Sequence, residues 1–300
     1  MKILILGSEG FIGSHCATQL LAHGFEVTGC DLYETSKGLG YAYHKVSRLS
    51  PQWDEVFSSN TFDVCINAAG SGNVPYSMQH PLIDFESNTL DVLRVLDAIR
   101  RYCPRCRYLH ISSAAVYGNP DQLPVNEQAP TRPLSAYGWH KLMSEHVCAE
   151  YHQVYKINTT VIRPFSVYGA GLKKQLLWDI CQKIKNTSAT DIMLFGTGEE
   201  SRDFIYIDDL IQLIRIIIES DNFQGNVYNA ASGVETKIKK IAEIIHGYFP
   251  SKKISFSGQV RIGDPINWRA DISKVTNMGF NCKVFIQSGI EKYINWFNHQ

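Results

Sequence analysis

An excess of charge of either sign is missing from this sequence: 29 lysines and arginines stand against 29 aspartates and glutamates. No net field therefore draws the chain to nucleic acid or to an anionic membrane, and neither is expected as a partner. Long apolar runs are missing too. The opening Met-Lys-Ile-Leu-Ile-Leu meets Gly7 too soon for a signal peptide or a membrane span, and the most apolar stretch, Ile205–Ile218, is broken by Asp208, Asp209 and Arg215. Without an export signal the expected setting is the cytoplasm, with the eight cysteines as free thiols. Cys103-Pro-Arg-Cys106 has the spacing of half a zinc site or a redox pair, but no second pair stands at matching spacing and Pro104 reads as a helix end. No metal is expected. Repeats and low-complexity tracts are also lacking. What remains, 44% hydrophobic and 19% charged over 300 residues, is the composition of a globular protein with a substantial core.

The first half alternates short apolar runs with helical patterns, the signature of a parallel sheet covered on both faces. The expected strands are Lys2–Leu6, Glu26–Cys30, Val64–Asn67, Tyr108–Ser112 and Thr159–Arg163, and the expected helices Gly13–Ala22, Asn88–Arg101 and Tyr137–Tyr155. Phe204–Ile207 followed by Asp208 reads as a further strand entering a capped helix. After Pro164 glycines and prolines punctuate shorter elements, which predicts a smaller, loop-rich C-terminal lobe closed by an amphipathic helix through Ile286, Ile290, Tyr293, Ile294 and Phe297.

Gly7-Ser-Glu-Gly10-Phe-Ile-Gly13 follows the first strand and opens the first helix. Glycines here allow a tight turn, close approach to a pyrophosphate and close helix–strand packing, while the helix N-terminus offers unpaired N–H groups to phosphates. Such a loop alone also occurs without a ligand. Asp31, 18 residues beyond Gly13 at the end of the second strand, is spaced to accept the hydroxyls of an adenosine ribose and to repel a 2′-phosphate. The pair points to NAD; Lys37 is the nearby cation that would instead suit NADP. Ala68-Ala69-Gly70 supplies small residues where a cofactor could cross a strand end.

Tyr137-Gly-Trp-His-Lys141 puts a phenol and an amine on one helical face. A free tyrosine, pKa about 10, is a poor base at neutral pH. A neighbouring ammonium and an oxidised nicotinamide would favour the phenolate and lower that value, so that Tyr137 could take a proton from a hydroxyl as hydride leaves the same carbon. Lys141 would also hold the nicotinamide ribose. Ser113, at the end of the preceding strand, could align the reacting oxygen. His140 and His146 read as structural.

Together these residues resemble the extended short-chain dehydrogenase/reductase family, in its nucleotide-sugar epimerase/dehydratase branch. The resemblance runs from Met1 to about Asp271 on Gly7/Gly10/Gly13, Asp31, Ala69-Gly70, Asn88, Ser113 with Val116-Tyr-Gly118, Tyr137 with Lys141, Arg163-Pro-Phe165, Gly196-Thr-Gly198, Arg202-Asp-Phe-Ile and Arg261-Ile-Gly-Asp264 with Ala270-Asp271. It implies a doubly wound (Rossmann) α/β sheet with a smaller substrate-binding lobe, NAD bound in the N-terminal lobe, and a nucleotide-diphosphate sugar between the lobes. By position it implies that Phe11, Ile12, Asp31, Ala68, Ala69, Gly70, Asn88, Tyr137, Lys141 and Phe165 line the cofactor. Arg202 and Arg261 match the arginines that hold the substrate diphosphate, chemistry that suits guanidinium. Homodimerisation through the helices near Asn88–Arg101 and Tyr137–Tyr155 is a further implication.

Departures narrow the choice. Ala114 and Ala115 stand where sugar 4,6-dehydratases of the family carry an Asp-Glu pair, so dehydration of that type is not expected. Ser166 replaces a usual asparagine at a substrate-contacting position, and Ser47 stands where an acid near the adenine is common. The resulting expectation is residues 1–165 as the NAD-binding domain, with a returning segment at about 203–231, and 166–202 plus 232–300 as the substrate lobe. The expected activity is epimerisation, most simply at C4 through a 4-keto intermediate. An NAD(P)H-dependent 4-keto-6-deoxysugar reductase uses the same Ser–Tyr–Lys set and is the runner-up. A non-catalytic NAD-binding regulatory protein is a third reading.

Overall fold

The computed structural model describes residues 1–34, 40–47, 51–188, 190–259 and 265–300. In chain order the elements are β1 (Lys2–Leu6), α1 (Phe11–Ala22), β2 (Glu26–Asp31), β3 (Ala42–Lys45), α2 (Trp53–Ser58), β4 (Val64–Asn67), α3 (Val74–Gln79), α4 (Pro81–Phe85), a π-helical turn (Glu86–Leu90), α5 (Asp91–Tyr102), β5 (Arg107–Ile111), a 3-10 turn (Ala114–Val116), α6 (Ala136–Gln153) and β6 (Thr159–Pro164). There follow β7 (Ser166–Tyr168), α7 (Gln175–Asn186), β8 (Asp191–Leu194), β9 (Ser201–Tyr206), α8 (Ile207–Ser220), β10 (Gln224–Ala230), β11 (Glu235–Lys237), α9 (Ile238–Tyr248), β12 (Lys253–Phe256), α10 (Ser273–Thr276) and α11 (Ile286–Asn298).

The main sheet runs β10-β6-β5-β4-β1-β2-β3, and every pairing in it is parallel. Its order reverses between β1 and β4, so the chain winds outward in both directions and leaves a crevice at the carboxyl ends of those two strands. Along β1, Ile3 and Ile5 enter one core while Leu4 and Leu6 enter the other, all four buried. A strand buried on both faces needs helices on both faces, which is why its sequence reads as an unbroken apolar run. The first core continues into α7, α8, α9 and α11. Apolar packing is therefore continuous from the main sheet into these later helices.

Beyond Pro164 the chain builds β11-β9-β7 and β12-β8, two small sheets apart from the main one. Helix α8 packs on α1, and β10 extends the main sheet beside β6. Two expectations are corrected here. Helix α8 starts at Ile207 with no side-chain cap; Asp208 instead accepts from Gln19 at 2.8 Å, and Asp209 accepts from the Lys283 and Val284 amides. The helix expected from Asn88 begins as the π-helical turn, whose wider geometry turns Asn88 into the protein, where it is buried.

Candidate active site

The cofactor loop is shaped by contacts that leave no room for side chains. A Cβ on Gly13 would lie 2.0 Å from the Gly7 carbonyl oxygen, and a Cβ on Gly7 would lie 2.8 Å from the Ala69 backbone. Gly7 also has φ +76°, which side-chain-bearing residues rarely adopt. The loop thus presses on both the start of α1 and the turn after β4. Helix α1 has Gly10 as its N-cap, with no side-chain cap and no acid in its first turn, so its leading N–H groups face the crevice. Substituting Gly13→Ala is expected to abolish measurable NAD binding and to lower stability by roughly 1–3 kcal/mol through overpacking. Isothermal titration with NAD and a urea melt check the two effects; NAD binding equal to the parent's contradicts this account of the loop.

Asp31 closes the loop from the side. Its Oδ2 accepts from the Glu9 amide at 2.9 Å and its Oδ1 from the Leu32 amide at 2.6 Å, which fixes the carboxylate at the end of β2 above the loop. Across the crevice, the Asn67 side chain accepts from the Ala69 amide at 3.0 Å and donates to the Tyr108 hydroxyl, holding the Ala68–Gly70 turn. Asn88 donates to the Ser71 carbonyl and to Asp84, both at 3.1 Å, while its own buried Oδ1 has no partner among the described residues. A buried acceptor left unsatisfied is costly, and a ligand donor in the crevice would satisfy it. The glycine cradle, the open helix N-terminus, Asp31 and this orphan oxygen fit a dinucleotide.

The Ser113–Tyr137 contact depends on another close approach. Ser135 caps α6 by accepting from the Gly138 amide at 3.2 Å. Gly138, with no Cβ, lets the helix settle on the 3-10 turn, where a Cβ would lie 2.8 Å from the Ala115 carbonyl oxygen. The Tyr137 phenol thereby comes within reach of the Ser113 side chain. Burial pushes the Tyr137 phenol up to about 12, the Ser113 hydrogen bond works in the opposite direction, and the Asp84 carboxylate adds to the rise. This corrects the expectation of a lowered tyrosine: the protein alone stabilises the neutral phenol. Lys141 donates to the Ile111 carbonyl at 3.0 Å, and burial brings its ammonium down to about 8. Asp84 opposes that fall, as does Glu145.

Asp84 was not legible as a site residue. It is fully buried and accepts from His140 Nδ1 at 2.6 Å, so His140 has a structural bond directly beside Lys141. His146 takes no part in the cluster of Ser113, Tyr137 and Lys141.

Other expected residues are placed with mixed outcomes. Phe165 is packed between Tyr117 and Trp268, at ring separations of 6.1 and 5.7 Å, in a small core behind the crevice. Arg202 lies over the Trp268 ring and donates to the Ser201 and Ile266 carbonyls at 2.8 and 3.1 Å. Ser166 is half-buried at the start of β7. Lys37 and Arg261 lie outside the described residues. Cys103 and Cys106 are buried free thiols at the end of α5, and among the described residues no group of three or more potential ligands could hold a metal ion. No described helix is long and apolar enough to cross a membrane.

Three comparisons bear on this arrangement. The family model described as the NAD dependent epimerase/dehydratase family matches residues 3–231. A putative UDP-glucose 4-epimerase of Methanocaldococcus jannaschii is 28% identical, aligned over 99% of this chain and 98% of its own. CDP-paratose 2-epimerase of Salmonella typhi is 26% identical over 99% of both. Among solved structures, UDP-glucuronic acid 4-epimerase from Bacillus cereus, in complex with UDP-glucuronic acid and NAD, superposes with a TM-score of 0.90 at 26% identity, covering 100% of this chain and 99% of that one.

Proposed function

The chain belongs to the NAD dependent epimerase/dehydratase family, within the extended short-chain dehydrogenases/reductases, and from that premise we propose that it epimerises a nucleotide-diphosphate sugar at C4, with Tyr137 as the acid and base. The observation that carries this reading is the approach of Ser113 to the Tyr137 phenol, whose hydroxyl faces Gly72 just beyond the Ala68–Gly70 turn. The structural relative solved with both NAD and a UDP-sugar supports the choice of ligands.

The residues that would hold NAD are Gly7, Gly10, Phe11, Ile12, Gly13, Asp31, Ala68, Ala69, Gly70 and Asn88, with Tyr137, Lys141 and Phe165 at its reactive end; bound there, NAD would supply the acceptor and donor of hydride. Ser113 and Tyr137 together bind the C4 hydroxyl, and the Tyr137 oxygen takes its proton as the carbon is oxidised to the ketone. Because burial and the Asp84 carboxylate raise the Tyr137 phenol, the positive charges of Lys141 and of an oxidised nicotinamide would be needed to make its phenolate accessible. After the sugar has presented its other face, Tyr137 returns the proton and the hydroxyl is restored with inverted configuration. Arg202, and Arg261 by family position, hold the diphosphate so that the sugar can turn without leaving. The small side chains of Ala114 and Ala115 offer no acid or base for loss of water, which favours epimerisation over dehydration. Conversion with a catalytic amount of NAD distinguishes this reading from the reductase, which consumes reduced cofactor stoichiometrically.

Asp31 should set cofactor choice. In Asp31→Asn the charge that repels a 2′-phosphate is gone, and the preference for NAD over NADP is expected to fall by about tenfold or more. Parallel titrations with the two dinucleotides check this; an unaltered preference assigns the discrimination elsewhere. The assembly we propose is a homodimer through α3 to α6. Leu82, Ile83, Leu93, Trp139 and Met143 all remain exposed on that helical face, an apolar area suited to a second copy. The chain is read as a cofactor lobe of residues 1–165 with the 203–231 return, and a substrate lobe made of the rest.

A further inference from the structure

Gly72, in the segment after β4, has no side chain, and two functional groups close on the space beside it. A methyl group on its Cα would lie 3.6 Å from the Lys174 ammonium nitrogen and 3.9 Å from the Tyr137 hydroxyl oxygen. The cation and the phenol thus face one point from opposite elements, Tyr137 from the first turn of α6 and Lys174 from the residue preceding α7. Among the described residues Lys174 has no hydrogen-bond or ion-pair partner. Lys174 is exposed, so its ammonium stands at an open crevice beside Gly72, and the protein around it holds its pKa below the usual lysine value. An unpaired cation fixed beside the catalytic phenol is placed to pair with a ligand anion entering the crevice.

We propose that Lys174 makes this pocket a receptor for an acidic sugar, its ammonium pairing with the C6 carboxylate of a nucleotide-linked hexuronate. The inference rests on the reading that Tyr137 works at C4. In a hexuronate the carboxylate is carried by C5, the ring carbon next to C4, so a C4 hydroxyl on Tyr137 brings the carboxylate to the same side of the pocket as Lys174. The diphosphate hangs from C1, across the ring, where Arg202 is the described cation assigned to it. A lysine suits the role because a compact ammonium on a flexible stem can follow the carboxylate as the ring turns over. A neutral hexose would leave the ammonium unpaired.

The test is binding without turnover. The NAD-loaded Tyr137→Phe protein is titrated with UDP-glucuronate and with UDP-glucose, then the same is done with Lys174→Gln and Lys174→Arg added. The expected result is at least tenfold tighter binding of the uronate, convergence of the two affinities in Lys174→Gln, and retention of the preference in Lys174→Arg. Equal affinities in the parent, or no measurable binding of the uronate, overturn the proposal. So does an equal loss for both ligands in Lys174→Gln, which would assign the cation to the diphosphate. Because these titrations involve no chemistry, failure of the C4 reading shows separately, as absence of conversion by the wild-type enzyme.

Discussion

Replacing Tyr137 by phenylalanine is expected to lower turnover by roughly 100- to 10,000-fold, the range that positioned acid–base groups contribute, while NAD binding persists. The expectation follows from what the hydroxyl does and what the ring does. Its oxygen is the atom that Ser113 approaches and the one we place to exchange a proton with the sugar. The ring, by contrast, sits on an α6 that is anchored independently: Ser135 caps it, and the Tyr137 amide donates to the Ser77 hydroxyl at 3.1 Å. Removing one oxygen leaves those backbone contacts and the glycine loop in place. Initial rates with a nucleotide sugar, together with an NAD titration of the same protein, check both halves. A variant that keeps parental turnover removes Tyr137 from the chemistry; one that loses NAD affinity and turnover together makes the effect structural.

The second large effect is on stability. Glu145→Ala is expected to cost about 3–5 kcal/mol, because it leaves the Arg163 guanidinium buried without its partner. Glu145 accepts from Arg163 Nε at 3.0 and 3.2 Å and from Nη2 at 2.6 Å, and it also accepts from the Ser112 hydroxyl at 2.5 Å. The remaining nitrogen of Arg163 donates to the Tyr117 hydroxyl and to the Glu127 carbonyl at 2.8 and 3.1 Å. This one pair therefore ties β6, the end of β5, α6 and the loop before α6 together, directly beneath Ser113. Its geometry is fork-to-carboxylate, the arrangement in which an arginine cannot be replaced by lysine without loss. The double variant Glu145→Leu/Arg163→Met removes both charges and should be less destabilised than Glu145→Ala. Urea denaturation of the three proteins checks the order; a loss under about 1 kcal/mol for Glu145→Ala would place the pair with weak surface bridges.

Much of the fold was legible because its strongest signals are local. A fully buried parallel strand writes itself as an apolar run, and Lys2–Leu6 and Val64–Asn67 appear with the boundaries their sequence predicts. The glycine loop was legible for the same reason: Gly7 and Gly13 are required by contacts within a short stretch of chain. Tyr137 and Lys141 share a helix, so their spacing announces them. β3 was not expected, since Ala42–Lys45 is short, largely polar and at the sheet edge, where alternation is weak.

The parts of the site that were not legible are tertiary. Asp84 and His140 meet at 2.6 Å across 56 positions of sequence, and neither carries a motif. Arg163 reads as part of a family pattern, yet its partner on α6 is visible only once β6 and α6 are packed. Lys174 and Gly72 are ordinary residues until the fold sets them against Tyr137. Charge environments were the hardest to foresee. A neighbouring ammonium and an oxidised nicotinamide predict a depressed phenol, whereas in the protein alone burial and Asp84 push it to about 12. Spacing reports which groups are near each other; burial decides which charged form survives there.

The central claim is that hydride taken from the sugar returns to the same sugar. Proton NMR of a nucleotide sugar incubated with the purified enzyme and a small fraction of an equivalent of NAD tests it directly, with absorbance at the NADH band followed in the same tube. The account predicts that the C4 epimer accumulates to equilibrium, far beyond the amount of cofactor present, with no lasting rise or fall in NADH. Conversion that stops at one turnover per NAD, or that requires stoichiometric NADH, would contradict it.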